Sequence, residues 1–149
     1  MRLTAFTDFG LRVLMRMAGE PDRTFSTAEL SVEFDLSRHH LFKIVSALAR
    51  GGVVTTQRGG GGGARLARPA GKIRLGDVVA LLEDGQALVQ CFEAGGRCSI
   101  EGCCQLKARL RSAERAFLAD LNRSTLADCA LPSAVFAPAA DAAASSRLQ

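Results

Sequence analysis

Residues 37–66 read SRHHLFKIVSALARGGVVTTQRGGGGGARL, and the order of signals in this stretch decides the fold. Ser37 stands where a helix N-cap belongs, with a hydroxyl that accepts from the free N–H groups of a first turn. Leu41, Ile44, Val45 and Leu48 then recur at near three- and four-residue spacing, which predicts a helix with one apolar face. Arg38, His39 and Lys43 fall outside that face, and Gly51-Gly52 stops the helix. Two short β-branched runs follow, Val53-Val54-Thr55-Thr56 and the stretch around Leu66. Between them lie Arg58, the glycines 59–63, Ala64 and Arg65, which predicts a hairpin with a glycine tip.

Upstream, Ser26 and Glu29 have capping-box spacing and predict a short helix with Leu30 and Phe34 inward, ending before Asp35-Leu36. An amphipathic helix is predicted over 7–18, with Phe6, Phe9, Val13, Leu14 and Met17 on one side and Arg12 and Arg16 on the other; Pro21-Asp22 closes it. Downstream of Pro69-Ala70-Gly71, Leu75, Val78, Val79 and Leu82 predict a short helix over 73–82. A polar stretch, 83–104, holds all but one of the cysteines, and a long helix is predicted over 104–121. Its stripe of Leu106, Leu110, Ala113, Phe117 and Leu121 needs a surface to cover it. From Ser133 the chain is rich in Ala, Ser and Pro, a composition expected to be disordered.

Two short helices joined by a tight turn and followed by a two-stranded wing are the order of a winged helix-turn-helix. Such a motif enters the major groove by the first turn of its second helix, where Arg38, His39, His40 and Lys43 could donate to base edges or phosphates. One of the two histidines is expected to be an ordinary surface residue. Arg58 and Arg65 flank the glycine tip and could lie on phosphates or in the minor groove. The bland alternatives are a structural helical hairpin and a flexible glycine linker; flanking β-branched runs and arginines favour the wing. Charge agrees: residues 1–75 carry 12 Lys and Arg against 6 Asp and Glu, while residues 76–149 carry 7 against 9. There is no nucleophile elbow, phosphate loop or His-Glu metal motif, so an enzyme is not expected.

The first 25 residues have no uninterrupted apolar run of a secretion signal, and no stretch approaches a membrane span, so no membrane association and a cytoplasmic location are expected. In that compartment the five cysteines read as metal ligands or redox-active thiols rather than a disulfide frame. Cys91, Cys98, Cys103 and Cys104 lie within fourteen residues. They lack the paired spacing of a structural zinc site, whereas an iron-sulfur cluster accepts thiolates spaced widely along a loop. Free thiols in a mobile loop are the alternative. Cys129 stands apart and reads as structural or incidental.

The chain resembles the bacterial iron-sulfur winged-helix regulators, a family that includes NsrR, IscR and RirA, over about residues 1–131. Within it the nitric-oxide-sensing NsrR branch matches best. The residues that carry the resemblance are MRLTAFTDFGLR at 1–12, Ser37-Arg38-His39-His40, Ile73-Arg74-Leu75-Gly76-Asp77-Val78-Val79, Cys104-Gln105-Leu106-Lys107 and Leu126-Ala127-Asp128. The resemblance implies a mainly α fold with a small β-hairpin. A winged helix-turn-helix domain would span 1–82, a cysteine-bearing cluster loop 83–104, a dimerisation helix and end turn 105–131, and a disordered tail 132–149. It implies a homodimeric, nucleoid-associated repressor of operator DNA. Cys91, Cys98 and Cys104 would be ligands of a 2Fe-2S or 4Fe-4S cluster, with Asp8 of the partner subunit as the fourth and nitric oxide as effector. DNA contacts would come from Ser37, Arg38, His39, His40, Lys43, Arg58 and Arg65. On residues alone, Asp8 reads as an acid in a helix's first turn, stabilised by the dipole.

Three departures bear on this. Gly60 and Gly61 stand where relatives often carry polar or basic residues, Cys103 is extra beside Cys104, and no histidine follows Cys104 within three residues, against an IscR-like ligand set. Cys91-Phe92-Glu93-Ala94-Gly95 also looks like the iron-responsive RirA branch, so an iron- or redox-responsive regulator stays open. A non-DNA-binding cluster protein is a more remote reading.

Overall fold

The computed structural model describes residues 2–57, 59, 62–93, 95–96 and 98–136. Arg58, Gly60 and Gly61 of the expected glycine tip, and 137–149 of the expected tail, lie outside the described residues. The elements are α1 (Ala5–Gly19), α2 (Thr27–Glu33), α3 (Arg38–Arg50), β1 (Val54–Gln57), β2 (Gly63–Leu66), α4 (Leu75–Leu82) and α5 (Gln105–Leu121). The fold is mainly helical with one antiparallel hairpin, as expected.

The caps explain where the helices begin. Thr4, Ser26 and Ser37 are extended, and their hydroxyls accept from the N–H groups of Thr7, Glu29 and His40. The Glu29 carboxylate reaches Arg23. Between α2 and α3 the chain turns through Asp35 at φ 50°, a left-handed conformation that aspartate tolerates better than most residues.

The core gathers Val13, Leu14 and Met17 from α1, Leu30 from α2, and Leu41, Ile44 and Leu48 from α3, all 0–1% exposed. Val54 and Leu66 close it from the wing, and Val78, Leu82 and Leu126 from beyond it. In the hairpin Val54 pairs with Leu66 and Thr55 with Arg65. The wing is tied to the body by Phe25, whose N–H and C=O both bond Ala64 at 2.8 Å. A Cβ on Gly63 would lie 2.2 Å from the Phe25 carbonyl oxygen, so this junction requires glycine.

Two expectations are corrected. Arg16, placed on the solvent side of α1, is 2% exposed. Its guanidinium meets Glu20 at 2.6 Å and Glu33 of α2 at 3.2 Å, and lies 4.7 Å from the Phe25 ring and 4.8 Å from the Phe136 ring. Two carboxylates and two aromatic faces replace the water it leaves. The tail is not disordered from Ser133: Ser133–Phe136 form a 3-10 turn, and Phe136 packs edge-on against Phe34 at 5.6 Å.

Helix α5 packs on α4. Asn122 accepts from the Asp77 N–H at 3.0 Å and donates to the Asp77 carboxylate at 2.8 Å, joining the end of α5 to the start of α4. None of the 17 residues of α5 is fully buried; Leu106 is 62% exposed and Leu110, Phe117 and Leu121 are partly buried, so its own chain covers the apolar stripe only in part. Among the described residues no helix is long and apolar enough to cross a membrane.

Candidate nucleic-acid interface and metal centre

The buried face of α3 sets what its other face presents. With Leu41, Ile44, Val45 and Leu48 inward, Ser37, Arg38, His39, Phe42, Lys43 and Arg50 are exposed. His40 behaves differently. It is only partly exposed, stacks on Phe6 with ring centroids 6.1 Å apart, and meets Phe9 edge-on at 6.1 Å. It pins α3 to α1, while His39 points outward. Arg65 is exposed on β2 beside Thr55, and a cleft of about 470 Å³ separates α3 from the wing, lined by Phe42, Ser46, Arg50, Thr56 and Gln57 among others. Phe42 and Arg50 escaped the sequence reading, which attended to the first turn. Phe42 lies four residues on from Arg38, on the same helical side, so the spacing itself marks it as outward.

The N-terminus of α1 is fastened to the root of the cysteine-bearing loop. Glu83, just past α4, accepts from the Thr4 N–H at 2.8 Å and the Thr4 hydroxyl at 2.9 Å. Burial alone would raise the Glu83 carboxyl; hydrogen bonds from the Thr7 hydroxyl and from the Thr4 N–H and hydroxyl outweigh it and hold the group below the usual carboxylate range. One turn further along α1, Asp8 is paired with Arg12 at 2.8 Å, its side chain about half exposed.

In the loop, short 3-10 turns at Gln90–Phe92 and Glu101–Cys103 carry Cys91 and Cys103. All five cysteines are free thiols; Cys91, Cys98, Cys104 and Cys129 are partly buried and Cys103 is exposed. The Cys103 thiol lies 3.5 Å from the Ile100 carbonyl. Phe92, beside Cys91, lies under the Arg111 guanidinium of α5 at 5.1 Å. Soft thiolate donors spread along one loop suit an iron-sulfur cluster. Among the described residues, no three His, Cys, Asp or Glu side chains of this chain converge into a metal-holding group. A group bound by Cys91, Cys98 and Cys104 would have to draw the loop together.

A helix-turn-helix with an outward-facing cationic helix and a β-hairpin wing defines a winged-helix DNA-binding regulator. The chain belongs to the Rrf2 family, described as iron-dependent transcriptional regulators, whose model matches residues 3–131. It is therefore a transcriptional regulator and not an enzyme. Solved structures agree. Staphylococcus aureus CymR is 27% identical, with a TM-score of 0.62 over 83% of this chain and 93% of that one. CymR (YrzC), the global cysteine regulator of B. subtilis, is 26% identical, with a TM-score of 0.63 over 87% and 96%. T. potens IscR, at 20% identity and a TM-score of 0.65 over 86% and 85%, shares the fold.

Proposed function

We propose that this protein is a homodimeric, iron-sulfur-dependent repressor that releases operator DNA in response to nitric oxide. Helix α3 and the wing bind the duplex. Cys91, Cys98 and Cys104 hold the cluster, with Asp8 of the partner subunit as fourth ligand. A bound cluster supplies an iron whose oxygen ligand is displaced more readily than a thiolate, the place where nitric oxide can react. The observation that carries this reading is the Glu83–Thr4 anchor: it ties the root of the thiol-bearing loop to the start of the same chain's α1, whose own Asp8 would serve the partner's cluster. Any rearrangement of the loop therefore acts on α1, and through the His40 stack on the orientation of α3. The partly uncovered stripe of α5 supports a dimer, which would set the two recognition helices about 34–36 Å apart for successive major grooves.

The family's description as iron-dependent favours a second reading on the same scaffold, a regulator that answers to iron or redox state. Anaerobic purification with iron and sulfide analysis and a visible spectrum, followed by nitric oxide titration while duplex binding is monitored, separates the two. Loss of colour together with DNA binding at a few nitric oxide per cluster supports the first. A cluster indifferent to nitric oxide moves the function to the second, and a colourless protein that still binds DNA removes the cluster altogether.

A further inference from the structure

Phe42 is the fifth residue of α3 and is 64% exposed, with Lys43 beside it and Arg38 and Arg50 exposed on the same helix. The core takes Leu41 and Ile44 on either side of it and leaves the phenyl ring in water. Helix propensity does not ask for phenylalanine there, since aromatic residues lose rotamer freedom in helices. The ring also lines the cleft between α3 and the wing, together with Arg50 and Gln57. An exposed apolar group on a helix that also exposes Arg38, Lys43 and Arg50 fits a surface that is anionic overall and apolar at isolated points. The major groove is such a surface: phosphates rim it, and the thymine C5-methyl is its apolar feature.

We propose that Phe42 reads a thymine methyl in each operator half-site and so fixes one A·T base pair there. The inference rests on the reading of α3 as the groove-entering helix. Position supports it, because residues of the first two helical turns are those that reach base edges in this geometry. Lys43, the adjacent residue, is placed for a phosphate, so the pair divides sequence reading from anchoring. Covering one methyl changes affinity by about four-fold per half-site.

The test uses the full-length protein, purified anaerobically with whatever iron it retains, and a pool of randomised DNA duplexes sequenced after selection. The wild type is expected to enrich a two-fold symmetric motif with one thymine per half-site that Phe42→Ala no longer enriches. In the selected duplex, replacing that thymine by uracil removes only the methyl. This should weaken the wild type about four-fold per half-site and leave Phe42→Ala unaffected, while circular dichroism shows the variant folded. If uracil leaves wild-type binding unchanged, or weakens both proteins equally, the thymine reading is overturned while DNA binding by α3 stands. If the wild type enriches no motif, both fall.

Discussion

The Arg12 guanidinium holds Asp8 across one turn of α1, with Nε 3.2 Å from Oδ1 and a terminal nitrogen 2.8 Å from Oδ2. The carboxylate proposed to reach the partner's cluster is thus paired within its own helix. Both side chains are about half exposed, so the pair contributes little to stability, about 0.3–0.5 kcal/mol. Arg12→Gln should leave the melting temperature nearly unchanged and slow loss of the cluster to a chelator about two-fold. Asp8→Ala should speed that loss and alter the visible spectrum. A chelation time course with absorbance readout checks both.

Glu83 gives the anchor a pH dependence with a definite sign. Its carboxyl lies below the usual range when folded, so its contribution is present above the unfolded value of about 4.3 and is lost as pH falls through the lower folded value. Glu83→Gln should cost about 1–2 kcal/mol at pH 7. The difference from wild type should shrink as pH falls toward and below 4, as read from urea unfolding across that window.

Arg16 joins α1 to α2 through Glu33, with only 3% of its side chain exposed. Replacing it by Met keeps the length of the chain but leaves Glu20 and Glu33 without their shared cation. The expected loss is about 2–3 kcal/mol, moderated by the water that still reaches the two carboxylates. Thermal unfolding measures it, and Arg16→Lys should recover only part, because lysine lacks the planar fork.

Gly76 lies where α4 meets α5: an added Cβ would stand 2.3 Å from the Leu118 carbonyl oxygen. Gly10 differs, since its nearest neighbour, at 2.6 Å, is the tip of the flexible Leu82 side chain. Gly76→Ala should therefore destabilise by about 1–3 kcal/mol and Gly10→Ala by less, in the same denaturant titration.

Lys43 and Arg65 are exposed on the face proposed to meet DNA. If Lys43 contacts a phosphate, Lys43→Ala should weaken binding to all duplexes alike and lower the slope of log affinity against log salt by about one per contact. Fluorescence anisotropy over a salt series reads this directly, and an unchanged slope removes Lys43 from the interface.

Much of this protein is determined by local sequence. Ser26 and Ser37 cap the helices they were expected to cap, and Leu41, Ile44, Val45 and Leu48 are the buried face of α3, because capping and periodicity act over a few residues and need no partner. Other features arise only when distant segments meet. Arg16 read as a surface cation until Glu33, Phe25 and Phe136 enclosed it, and nothing in the local sequence shows that the His40 ring meets Phe6 and Phe9 of α1. Glu83 meets Thr4 across 79 residues. Periodicity shows which side chains leave the helix surface together; what they find there is decided by the packing of the whole chain.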